Sequence, residues 1–153
     1  MCGRYNFSDI DKFFIRNAIT HPVLRLEPHY NVSPGMHMPV VIRNSPNSAV
    51  LMKWGLIPFW AKDPRIGYKM INARAETIMQ KASFRKPLLR QRCLVPVNSF
   101  FEWLKADGQK FPYAFTLINE RIFSLAAIYD IWKDAEGYPL KTFSIITCEA
   151  NKL

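Results

Sequence analysis

The sequence predicts an α+β domain built mainly from antiparallel strands, with an N-terminal helix and short peripheral helices. Three observations carry that expectation. Apolar residues fall at helical spacing near the N-terminus, the hydrophobic period is two over most of the chain from residue 38 on, and short turns separate the strand-like runs.

Taken in order, Ser8 followed by Asp11 forms a variant of the capping box, and Ile10, Phe13, Phe14, Ile15, Ala18 and Ile19 keep helical spacing until His21-Pro22 ends it. A helix is expected over about residues 9–20. Residues 22–39 hold four prolines and one glycine, so this backbone cannot sit in a central strand, and Asn31-Val-Ser-Pro-Gly35 reads as a turn-rich loop. Runs 38–43 and 49–54 flank an Asn44-Ser-Pro-Asn47 turn and predict a hairpin. A polar stretch, 61–69, precedes a short helix expected over about 75–81. Strands are then expected over 93–97, 99–104, 113–118, 122–129 and 141–147, with turns at Ala106-Asp-Gly108, Asn119-Glu120 and Ala135-Glu-Gly137.

The chain of 153 residues carries 21 Lys and Arg against 12 Asp and Glu, 21 − 12 = +9, and is 49% hydrophobic. One globular domain over residues 1–153 is implied, and its 11 Phe, 6 Tyr and 4 Trp exclude global disorder. The odd count of three cysteines, Cys2, Cys93 and Cys148, widely spaced and without a CxxC, points to reduced thiols and an intracellular address. Cys93 and Cys148 lie in apolar patterns and read as buried, inert thiols. No signal peptide opens the chain, and its apolar runs, such as 122–131 with Ser124 and Asp130 interrupting, are too short to span a bilayer. The basic balance favours a polyanionic partner, nucleic acid being the commonest. His21, His29 and His37 are separated by prolines and have no regular element behind them, so no metal or other cofactor is expected.

Cys2 directly follows Met1. Removal of Met1 leaves an amine with a pKa of about 7.7–8.0 beside a thiol of about 8.5. Such a 1,2-aminothiol condenses with an aldehyde to an imine and then closes a five-membered thiazolidine ring. A cysteine also reaches position two by chance, and the residue alone does not decide between the two. Between residues 60 and 92, nine cations face two anions, interleaved with Trp60, Tyr68 and Phe84. That pattern suits a groove in which phosphates are neutralised while rings meet bases, and it equally suits a solvated basic face over core aromatics. Glu102 stands among large apolar neighbours, where burial would raise its pKa towards acid-base use, although an alternating strand would equally present it to solvent. Asn72 is ambiguous in the same way, Asn being commonest in turns.

Together, Met1-Cys-Gly-Arg-Tyr5, Asn31-Val-Ser-Pro-Gly35, Trp54-Gly-Leu-Ile-Pro58 with Trp60, Ile71-Asn-Ala-Arg-Ala-Glu76, Ser99-Phe-Phe-Glu-Trp103 and Phe143-Ser-Ile-Ile-Thr147 closely resemble the SRAP family, the SOS response-associated peptidases. The resemblance spans residues 1–151. It implies a barrel-like fold and a DNA-damage protein that recognises abasic sites in single-stranded DNA and crosslinks to them through Cys2 after loss of Met1. On the same basis Asn72 would hold the reacting group and Glu102 would serve as acid or base. Arg4, Arg74, Arg85 and Lys86 would hold phosphates. Trp60 and Tyr68 would fill the gap at the lesion, and Pro34 and Thr147 would line the site. A monomer acting in the cytoplasm, at the nucleoid of a bacterium or in the nucleus of a eukaryote, is expected. Family members carry a His-Asp-Arg-Met-Pro type motif shortly after the Thr147 strand, so the resemblance implies that the C-terminal part of the domain, with its catalytic histidine, is missing here. Two alternatives remain open on the residues: an autoproteolytic thiol peptidase of the N-terminal nucleophile type, and a non-catalytic single-strand-binding module.

Overall fold

The computed structural model describes residues 2–20 and 25–150. Its strands are β1 (Arg4–Phe7), β2 (His29–Val32), β3 (His37–Ile42), β4 (Ala49–Trp54), β5 (Asn72–Arg74), β6 (Arg92–Val97), β7 (Ser99–Ala106), β8 (Gln109–Phe115), β9 (Phe123–Lys133) and β10 (Pro139–Thr147). Two α-helices join them, α1 (Ile10–Arg16) and α2 (Ala82–Arg90), with 3-10 turns at Pro64–Lys69 and Ile78–Gln80.

β3, β4, β6, β9 and β10 fold around a common core, and β3 and β10 bury four consecutive residues each, so both of their faces are covered. The strand order is β4-β3-β6-β9-β10-β5, and β10 also pairs with β4, which closes five of the strands into a barrel. The neighbours within the open order are antiparallel except β10–β5, and the closing β10–β4 contact is parallel too. A second sheet, β2-β1-β7-β8, packs Tyr5, Phe7 and Val32 against the barrel core. Tyr5 meets Trp54 with ring centroids 5.2 Å apart, and Trp54 stacks on Phe143.

The two sheets share a corner at Asn98, the single residue between β6 and β7. Its backbone N–H donates to Asn6 O, its Oδ1 accepts from the N–H groups of Ser8 (2.7 Å) and Asp9 (3.1 Å), and its Nδ2 donates to Arg121 O. The polar corner residue is thus what lets one continuous run serve both sheets.

Several expectations are corrected. The first helix ends at Arg16 rather than residue 20, because Ala18 adopts a positive φ of 45° and Ile19 N–H returns to Phe14 O while Ala18 N–H bonds Ile15 O, a Schellman ending on an alanine. Its cap is Asp9, whose carboxylate accepts from Lys12 N–H, and not Ser8. The helix expected over 75–81 is only the 3-10 turn Ile78–Gln80, and the true helix, α2, follows it. Pro87 inside α2 hides the pattern from a sequence reading, since proline removes a helical donor. Phe84 and Leu88, four residues apart, face a small core of Leu56, Ala73, Ile78 and Ile128. β8 begins at Gln109, several residues before the expected 113–118, because Asp107 (φ 50°) and Gly108 (φ 74°) make a two-residue turn of the primed kind. β1 and β5 were not anticipated, and the proline-rich region contributes β2, an edge strand.

Gly55 and Gly67 cross in backbone contact, and this crossing fixes the loop that carries Phe59 and Trp60 against the turn that carries Tyr68. A Cβ on Gly67 would stand 2.8 Å from Gly55 O and 3.1 Å from Ile57 Cγ1. Gly67→Ala is therefore expected to destabilise the fold by about 1–3 kcal/mol through overpacking, read as a lowered midpoint in thermal or urea unfolding. The outcome against this account is an unchanged midpoint.

Candidate functional site

Cys2 lies just ahead of β1 and is 5% exposed, its Sγ directed to Arg4 O at 3.6 Å. β5 runs parallel to β10, with Asn72 opposite Ile145, and this brings the Asn72 side chain to the N-terminal segment. Asn72 Nδ2 donates to Cys2 O at 2.8 Å. Its Oδ1 is buried with no hydrogen-bond partner among the described residues. Glu102 reaches the same place from β7, which is antiparallel to β1 with Phe101 opposite Arg4. Burial pushes the Cys2 thiol up to about 11, and the Glu102 carboxylate adds to that rise. Cys2, Asn72 and Glu102, distant in sequence, thus form one cluster.

Tyr5 joins it, which the sequence reading missed. Its hydroxyl is buried without a partner, and its pKa is raised well above the ordinary value by burial first and by the Cys2 thiol second. The alternation of buried residues along β1 is the signal that would have placed Tyr5 inside.

Around this cluster the predicted binding residues occupy several elements. Arg4 donates from Nη1 to Asn31 Oδ1 at 3.1 Å. Arg74 and Thr147 are register partners on β5 and β10, and Thr147 O accepts from Ala75 N–H. The Arg74 guanidinium stands 3.6 Å from both Glu76 and Glu149 carboxylates and remains more than half exposed, so it can exchange these partners for a phosphate. Ser33-Pro34-Gly35-Met36 forms a type II turn, Met36 N–H to Ser33 O, with Gly35 at φ 92°. This turn lies beside the Tyr68 ring, and Lys53 Nζ stands over that ring at 5.7 Å from its centroid.

Trp60 (50% exposed) and Tyr68 (64% exposed) are large rings left open to solvent on a rigid support. The support is explicit. Buried Asp130 accepts from Phe59 N–H at 2.9 Å, from Gln91 Nε2 and from Ile131 N–H, while Trp132 Nε1 donates to Ala61 O at 2.7 Å. Asp130 was visible in the sequence only as an acid interrupting an apolar run. Arg85 and Lys86 are exposed on α2, and Lys86 Nζ stands over the Phe59 ring, 4.3 Å from its centroid. Phe59 is therefore a further exposed ring of this surface, overlooked beside Trp60.

Among the described residues no group of three or more His, Cys, Asp and Glu is placed to hold a metal. His29 begins β2 and His37 begins β3, while His21 lies outside the described residues. No described helix is long and apolar enough to cross a membrane. Cys148 is exposed, which corrects the expectation of a buried thiol, because it follows β10 instead of continuing it. Cys93 is buried as expected and pushed up to about 12 by burial. A thiol reagent at pH 8 is accordingly expected to label Cys148 much faster than Cys93 or Cys2, and peptide mapping of a brief pulse would reveal the order. Equal labelling of Cys93 and Cys148 would contradict the burial described.

The sequence matches the family described as SOS response associated peptidase (SRAP) over residues 1–153. It is 44% identical over 158 residues to the abasic site processing protein YoqW of Bacillus subtilis, covering all of this chain and 70% of that one. It is 42% identical over 164 residues to YoaM of the same organism, also named an abasic site processing protein, covering 99% of this chain and 69% of that one. A solved structure of a protein from Bacteroides thetaiotaomicron superposes with a TM-score of 0.86 at 33% identity, covering 98% of this chain and 69% of that one.

Proposed function

The chain belongs to the SOS response associated peptidase family, and from that premise we propose that it acts in the DNA-damage response by recognising abasic sites in single-stranded DNA and trapping them covalently through Cys2. The observation that carries this reading is the convergence of Asn72 and Glu102 on Cys2. An abasic deoxyribose opens to an aldehyde, the electrophile that an N-terminal aminothiol captures. Loss of Met1 frees the Cys2 α-amine, which attacks the aldehyde carbon and expels water to give an imine. The thiol then adds to the imine carbon, its proton passing to nitrogen, and a thiazolidine ring closes with a net loss of one water.

The residues take distinct parts. Asn72 Nδ2 anchors the Cys2 backbone, and its buried Oδ1 offers an acceptor to the amine or to a sugar hydroxyl; a buried acceptor left unpaired costs about 1–3 kcal/mol. Glu102 moves protons as the sugar opens and water leaves. Arg4, Arg74, Arg85 and Lys86 bind phosphates, Trp60 and Tyr68 occupy the gap where a base is absent, and Pro34 and Thr147 line the site. Release of the residue before Cys2 is the only peptide-bond cleavage this reading requires.

Intact mass spectrometry tests it. After incubation with a single-stranded oligonucleotide bearing one abasic site, the expected species is protein without Met1 plus oligonucleotide less one water. Processed protein that binds intact and abasic strands alike, with no adduct, would instead leave a non-catalytic binding module.

A further inference from the structure

Beyond Arg4, one face of the four-stranded sheet carries cations and a ring, Lys105, Lys110 and Trp103, that the Cys2 cluster does not use. Side chains alternate along a strand. Arg4 pairs with Phe101, Trp103 with Pro112 and Lys105 with Lys110, so these residues share the face opposite Tyr5 and Glu102. Lys105 and Lys110 stand directly across from each other, a like-charge pairing that weakens a sheet. Neither makes an ion pair among the described residues, and β7 and β8 place no acidic residue on this face. Between Arg4 and the lysines Trp103 is 42% exposed. From Phe101 to Lys105 the strand advances about 13 Å.

We propose that this face carries the single strand on one side of the lesion, with Arg4 and the Lys105–Lys110 pair holding phosphates and one base stacking on Trp103. The proposal rests on the abasic-site reading and extends it to the flanking nucleotides. Two features select this occupant. The charge is uniformly positive and finds its complement in a phosphate backbone, and Arg4, whose carbonyl meets Cys2 Sγ, sets the face beside the N-terminal segment. A second copy of the chain added along β8 is disfavoured by the edge itself, where Pro112 lacks an N–H and Lys110 carries a charge.

The test compares two abasic oligonucleotides, one with a single nucleotide on each side of the lesion and one with several. Reversible affinity is read in a Cys2→Ala background, so it does not depend on covalent capture. Trp103→Ala is expected to weaken the longer strand about tenfold, the worth of one stacked base, and Trp103→Phe to restore most of that loss. Lys105→Ala with Lys110→Ala, both exposed on a hairpin, is expected to lower the slope of log affinity against log salt by about 1.4, two phosphates' share. Neither change should alter binding of the short strand. Equal losses on both strands, no loss on the longer one, or a dimer in sedimentation that the lysine changes abolish would each overturn the proposal. If the unsubstituted protein captures neither strand, the abasic-site reading falls, and the dependence on strand length still decides this one.

Discussion

Cys2→Ala is expected to abolish the denaturation-resistant adduct with abasic single-stranded DNA while costing less than about tenfold in reversible affinity. The asymmetry follows from what the residue supplies. The thiazolidine needs the sulfur, and alanine leaves the amine able to form only an imine, which hydrolyses on denaturation. The proposed reading assigns the strand to Arg4, Arg74, Trp60 and Tyr68, not to Cys2, and electrostatic contacts supply most of the affinity for a single strand. Gel mobility under denaturing conditions reads the first quantity and fluorescence anisotropy the second. An adduct of undiminished yield in the alanine variant would refute the aminothiol mechanism.

The second large effect belongs to Glu102→Gln, expected to slow adduct formation by about 10²–10⁴-fold at pH 7, the range of general acid-base catalysis. The pH dependence separates this role from mere electrostatics. In the unsubstituted protein the thiol, pushed up to about 11, keeps its proton across the neutral range. The rise in rate between pH 6 and 8 therefore reports the amine, whose ordinary pKa is about 7.7–8.0. Since the Glu102 carboxylate raises the thiol, glutamine lowers it towards its ordinary value and makes thiolate more available as pH rises. A variant that is merely faster at alkaline pH, with no loss at pH 7, would reduce Glu102 to an electrostatic neighbour.

Much of the architecture was legible because the hairpin of β3 and β4 and the strands β6, β7, β9 and β10 are strand-length apolar stretches, most of them bounded by turn residues. What escaped the sequence was set by tertiary contact. β1 and β5 are too short to show a period, and each exists because a neighbour completes its ladder, β7 for β1 and β10 for β5. α2 was masked by Pro87 and by a basic surface that reads as a binding stretch until Phe84 and Leu88 are seen to face inward. Of the site, Cys2 stood out by its place after Met1 but became a candidate nucleophile only together with the other motifs. Asn72 and Glu102 were ambiguous singly, because their meaning lies in tertiary contact, the Asn72 side chain on Cys2 O and the ladder of β7 with β1. Tyr5 and Asp130 were missed since a buried hydroxyl and a buried carboxylate are recognised by their surroundings, not by their spacing.

β1 occupies an interior position in its sheet, between β2 and β7. The partner on one side lies some ninety residues further along the chain, and ribosomes add about 5–20 residues per second. β1 is thus made several seconds before the strand that secures it, and for that interval it is an open strand end. On the proposed reading, loss of Met1 falls in that interval, before the sheet closes over the position that Cys2 will hold.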